Sequence, residues 1–152
     1  TWIHGRHHRA VGRLAEELRM TMSLFPVTSI YAGLCGLLLL VLAFRVVRVR
    51  REAKIGIGVA DNRLLERRVR IHANATEYVP IALILLALVE ASGVGVIYVH
   101  AAGAALVIAR VLHAWGMSTS AGHSVGRFYG VLVTWIVLLG LSLTLLIRPL
   151  IQ

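Results

Sequence analysis

Residues 69–90 read VRIHANATEYVPIALILLALVE: a polar, ionisable opening that passes at Val79 into an unbroken apolar run ending at Glu90. Twenty or so apolar residues are what a helix needs to cross the hydrocarbon core of a bilayer, and the sequence contains four such runs. They extend from about Pro26 to Val47, Val69 to Glu90, Val94 to Trp115 and Val125 to Ile147. Only Ala91, Ser92 and Gly93 separate the second run from the third, which predicts a tight antiparallel hairpin. Pro80 removes one backbone donor inside the second run and predicts a kink of the kind membrane helices tolerate. The fold class expected is therefore all-α, an integral membrane bundle of four helices within a domain at residues 20–152.

Composition agrees. Hydrophobic residues make up 58% of the 152, above the share of about 45–50% usual in soluble domains. The net charge of +9 raises nucleic-acid binding, but its distribution excludes it. Nine of the sixteen basic residues, Arg45, Arg48, Arg50, Arg51, Lys54, Arg63, Arg67, Arg68 and Arg70, cluster from the end of the first run to the start of the second. A dense basic loop between apolar spans is a cytoplasmic loop by the positive-inside rule. The expected topology is a multi-pass protein of the cell membrane with this loop in the cytoplasm and both termini outside. Gly56, Gly58, Asp61 and Asn62 predict turns within the loop.

Residues 1–19 are polar and basic and precede Met20 and Met22, so they read as an extension outside the domain. They hold too short an apolar stretch for the core of a secretory signal. Their His4, His7 and His8 have no acidic or Cys neighbours to complete a metal site. No metal spacing, phosphate-binding glycine loop or Ser/His/Asp arrangement occurs elsewhere. The single cysteine, Cys35, lies in an apolar run and reads as a small buried hydrophobe.

Ionisable residues at membrane depth cost a few kcal/mol and require a reason. Glu77 and Glu90 are two of only seven acidic residues. At about 100° per residue, Arg70, Asn74 and Glu77 fall within about 60° of one another on one helical face, with Tyr78 beside them. Arg110 and His113 share a face of the third helix near its cytoplasmic end. Arg127 and Tyr129 open the fourth helix at the same level, and Arg48 ends the first there. Three or four helices thus deliver cations, an amide and one carboxylate to one layer, a set suited to a small anionic ligand carrying an amine. The same arginines also fit interface snorkelling, with Glu77 paired to one of them. His113 taken alone reads as a packing hydrogen bond. His72 and His100 have no partner pattern. Ala101, Ala102, Gly103, Ala104 and Ala105 predict close helix contact. A transporter is disfavoured, because a charge stripe at one interface makes no continuous polar path.

The run Arg70-Ile-His-Ala-Asn74-Ala-Thr-Glu77-Tyr78-Val-Pro80 resembles the MAPEG family, the membrane-associated proteins in eicosanoid and glutathione metabolism. Arg110-Val-Leu-His113, and Gly126-Arg127-Phe-Tyr-Gly130 leading to Thr134-Trp135, follow in the family's order. The resemblance covers roughly residues 24–147 and is nearest to short bacterial members like microsomal glutathione transferases. It implies a homotrimer binding glutathione between subunits in a pocket open to the cytosol. Carried over by motif, Arg70, Asn74, Glu77, Tyr78, Arg110 and His113 would bind glutathione, with Arg48 and Tyr129 as further contributors. Arg127 would stabilise the thiolate for attack on a lipophilic electrophile or reduction of a hydroperoxide. One position departs: Met117 stands where eicosanoid-pathway members place a tyrosine. A non-catalytic protein of the same fold, binding a lipid or another anionic thiol and regulating a partner, stays open beside the enzyme.

Overall fold

The computed structural model describes residues 25–120, 122 and 124–151. The extension at residues 1–19 and its histidines lie outside the described residues. The described residues form four helices, α1 (Pro26–Ala53), α2 (Arg63–Ala91), α3 (Val96–Thr119) and α4 (Val125–Ile147), followed by a 3-10 turn at Arg148–Leu150. Each is long and apolar enough to cross a membrane. Even the 23 residues of α4 reach roughly 35 Å, more than the hydrocarbon core of about 30 Å.

The fourth span has the limits its sequence predicts, but α1 continues past Val47 to Ala53 and α2 begins at Arg63, well before Val69. Hydropathy ends where charge begins, whereas a helix does not: arginine is a good helix former, and both helices run on into the polar layer. The connection is accordingly only Lys54–Asn62. Lys54, at φ 54°, closes α1 in the left-handed conformation, with the Ile55 N–H donating to the Arg50 carbonyl at 3.0 Å. Arg50 Nη1 then reaches across to the Gly58 carbonyl at 2.9 Å. Asn62 opens α2 by accepting the Leu65 N–H at 2.9 Å. α3 is also displaced from the predicted Val94–Trp115, because Gly93, at φ +74°, carries the hairpin turn and Gly95 precedes the first helical residue. α2 continues through Pro80 as one helix.

Glu90 finds its reason at the opposite end of the bundle. Its two carboxylate oxygens accept the N–H groups of Val27 and Thr28, each at 2.8 Å. The carboxylate at the end of α2 thereby satisfies two otherwise unpaired donors at the positive end of α1.

Small residues set how closely the helices approach. Gly103 lies under the Tyr31 ring of α1, where a side chain would overlap the ring. α3 and α4 are closer still. A Cβ on Gly130 would lie 2.6 Å from the His113 backbone nitrogen, and one on Gly116 would overlap the Arg127 backbone nitrogen. Gly126 and Gly130, four apart on α4, thus admit the backbone of α3 in the small-xxx-small manner of membrane helices. Cys35, Leu86, Val89, Leu106 and Leu141 are buried between the helices. Leu37, Leu40, Phe44, Ile97, Leu139 and Leu146 stay exposed, an apolar exterior that matches lipid and not water.

Candidate functional site

The start of α2, the end of α3 and the start of α4 meet at one end of the bundle around a cavity of about 490 Å³. α2 supplies Arg63, Glu66, Arg67, Arg70 and Asn74 to its wall. Glu66 and Arg67 follow Arg63 by three and four residues, and Arg70 and Asn74 continue that spacing, so all five fall within an arc of about 100° on one helical face. α3 adds His113 and Met117, and α4 adds Arg127 and Val131. Of the sequence-predicted residues, Arg70, Asn74, His113 and Arg127 are brought together here.

Arg110 stands behind the wall. It is 2% exposed, donates from Nη1 to Asn74 Oδ1 at 2.9 Å and from Nη2 to the Gly130 carbonyl at 3.3 Å. Its Cζ lies 5.5 Å from the centre of the Tyr78 ring, within cation–π range. Tyr78 in turn accepts the Trp135 Nε1–H at 3.3 Å. Arg110 and Tyr78 therefore orient Asn74 and join α2 to α4, outside the wall of the cavity.

His113 is 4% exposed. Its Nδ1 lies 3.2 Å from the Arg127 carbonyl, and a carbonyl only accepts, so Nδ1 carries the hydrogen. The neutral ring then presents Nε2 as an acceptor, and that buried nitrogen has no hydrogen-bond partner among the described residues. Ser124 accepts the Arg127 N–H at 3.2 Å and starts α4 at this point, which holds the Arg127 backbone in place while its side chain stays exposed.

Three predicted residues stand elsewhere within the single chain. Glu77, one turn beyond Asn74, is exposed and has no hydrogen-bond or ion-pair partner among the described residues. Arg48 pairs with Glu52 at 2.8 Å and lines a separate cleft. Tyr129 is exposed and packs edge-on against Phe128 at 5.3 Å. Conversely, Arg63, Glu66 and Arg67 line the cavity without having been singled out. Their signal was present as an Arg63, Arg67, Arg70, Asn74 spacing, but it becomes a helical face only once α2 starts at Arg63.

Beyond Arg127 lies a second hollow, about 560 Å³, lined by Phe128, Val131, Leu132 and Trp135. Arg127 and Val131 belong to both walls. A cationic compartment and an apolar one therefore meet at a single guanidinium.

The MAPEG family model matches residues 28–147. The chain is also similar to the inner membrane protein YecN of Escherichia coli K12, 36% identical over 115 residues, which covers 74% of this chain and 85% of that protein. YecN of Escherichia coli O6:H1 matches to the same extent. With four helices among its described residues long and apolar enough to cross a membrane, and a match over most of its length, the chain is a multi-pass membrane protein that belongs to the MAPEG family.

Proposed function

We propose that this protein binds glutathione in the polar cavity and that Arg127 stabilises the bound thiolate, as in a membrane glutathione transferase or peroxidase. The observation that carries this is the cavity itself. Arg63, Arg67, Arg70 and Arg127 surround Asn74 and His113, with Glu66 as the one acidic residue of the wall. Glutathione has two carboxylates and one ammonium, and the wall matches that imbalance. The cavity volume also falls in the range of about 300–1,000 Å³ typical of small-molecule sites.

When bound, glutathione supplies the sulfur nucleophile. The protein residues do the rest. Arginines of α2 pair with the carboxylates, Asn74, held by Arg110, is fixed as a hydrogen-bonding group, and His113 packs at the cavity wall. A thiol with a pKa near 8.5 is mostly protonated at neutral pH, and an adjacent guanidinium favours the thiolate. Arg127 acts as this electrostatic activator. The apolar hollow on its other side suits a lipophilic electrophile or a lipid hydroperoxide arriving from the bilayer.

The same reading places the Lys54–Asn62 connection and the arginine-rich ends of α1 and α2 that flank it in the cytoplasm, with Pro26 and Ile147 at the outer face. It also takes the assembly to be a homotrimer. Glu77 supports this, since an exposed carboxylate on a membrane helix with no partner in its own chain calls for one in a neighbour. Arg48 would join from a neighbouring chain only by leaving Glu52.

Titration of purified protein with glutathione, followed by ultraviolet absorbance of the thiolate, tests the reading. Binding with a thiolate signal is expected in the wild type, and in Arg127→Ala binding persists while the signal disappears. Absence of binding in the wild type would sink the proposal. A second reading, a ligand-binding protein without catalysis, is favoured by Met117, which lines the cavity where a hydroxyl would otherwise help. Binding without any thiolate signal in the wild type would select it.

A further inference from the structure

Arg67 and Arg68 are neighbours on α2, so their side chains leave the helix about 100° apart. Arg67 joins the polar cavity, whereas Arg68 joins a different cleft of about 240 Å³ between α2 and the end of α1, lined also by Arg45, Arg48, Glu52 and Leu64. The half-buried Arg45 and Arg68 converge on one atom. Arg45 Nη2 donates to Ser118 Oγ at 3.3 Å and Arg68 Nη1 donates to the same oxygen at 3.2 Å. That hydroxyl gives its own hydrogen to the Ala114 carbonyl at 2.6 Å. Two cations thus share one neutral oxygen. Neither has a carboxylate partner among the described residues, where the one ion pair is Arg48 with Glu52.

Like charges brought together in partly desolvated surroundings repel unless an anion lies between them. A phosphate diester supplies anionic oxygens in the geometry that guanidinium groups pair with best. The position favours a lipid over a free ion. Arg45 is the first charge on α1 after its long apolar stretch, which puts the cleft at headgroup depth. The exposed Val41 and Phe44 precede Arg45 and Arg48 by one turn each and share their face of α1.

We propose that Arg45 and Arg68 form a headgroup site for an anionic phospholipid. Its phosphate bridges the two guanidinium groups and an acyl chain lies along Val41 and Phe44. Basic pockets between membrane helices bind anionic headgroups by this chemistry. The site is separate from the glutathione cavity and does not depend on that reading.

The test titrates the delipidated full chain in detergent with phosphatidylglycerol, phosphatidylcholine and inorganic phosphate, followed by native mass spectrometry. Phosphatidylglycerol is expected to bind at least about tenfold more tightly than phosphatidylcholine. A basic residue near an anionic headgroup contributes about fivefold, so Arg45→Gln with Arg68→Gln loses about thirtyfold. Arg51→Gln, an exposed arginine at the same end of α1, stays within about twofold. Equal binding of the two lipids would overturn the proposal. So would an Arg51→Gln loss as large as that of the double variant, which marks diffuse surface charge, or displacement of the lipid by phosphate at equal affinity, which marks a free-anion site. Should the double glutamine variant fail to fold, Arg45→Lys with Arg68→Lys decides. It keeps both charges but not the paired donors, so a loss of about fivefold supports the site and unchanged binding removes it.

Discussion

Arg110 is a guanidinium held inside a membrane bundle by an amide, a backbone carbonyl and a tyrosine ring, with no carboxylate partner among the described residues. Burying a charge in this way contributes little to stability, and replacing it by an apolar side chain of similar length is often neutral or stabilising. What it does is orient Asn74. Arg110→Met is therefore expected to leave thermal unfolding in detergent within about 1 kcal/mol of wild type, since the half-buried Asn74 regains water through the cavity. Glutathione affinity, measured by calorimetry, should fall about tenfold, equivalent to one well-made hydrogen bond to a positioned group. A large loss of stability with unchanged affinity would show instead that Arg110 serves only the packing. Arg127 is the complementary case, an exposed side chain on a fixed backbone, where Ala is expected to remove thiolate formation and leave unfolding unchanged.

The helices are made to meet by what they lack. At Gly130 the backbone of α3 lies so close that an added methyl would sit 2.7 Å from the Ala109 carbonyl. Gly130→Ala must push α3 and α4 apart or distort them, at a cost of about 1–3 kcal/mol, read as a lowered unfolding temperature in detergent. Arg110 and His113 both bond to the α4 backbone across this contact, so glutathione binding should weaken with it. Gly33 on α1 has nothing within 4 Å of its added Cβ. Gly33→Ala is therefore expected to be neutral or to stabilise by up to about 1 kcal/mol, the helix preference for alanine. Equal effects at both positions would deny that the close α3–α4 contact matters.

For the whole molecule, orientation and assembly both have direct readouts. Ile57, 94% exposed on the α1–α2 connection, is a suitable reporter because Cys35, the single native cysteine, is fully buried. Ile57→Cys is expected to react with a membrane-impermeant maleimide only after cells are permeabilised, and labelling of intact cells would reverse the proposed topology. Crosslinking in mild detergent should yield a trimer, and Glu77→Gln should reduce its yield if Glu77 pairs across the subunit boundary. A wild-type monomer would leave Glu77 without a partner and would count against an intersubunit site.

Membrane residence, the number of spans and the polar layer at the head of α2 follow from the sequence by itself, because bilayer thickness and the cost of buried charge act on residue type and order. The α4 limits and the buried Cys35 were legible for the same reason. Only the tertiary structure decided which polar groups meet. Arg70 and Asn74 share the cavity while Glu77 turns outward, because the depth of a residue along a helix does not say which neighbour it faces. Arg110 is drawn behind Asn74, and Arg63, Glu66 and Arg67 join the wall, because α2 begins beyond the apolar run that hydropathy detects. The two arginines on Ser118 were invisible for a related reason: they lie on different helices, and their approach depends on packing that no single stretch of sequence encodes.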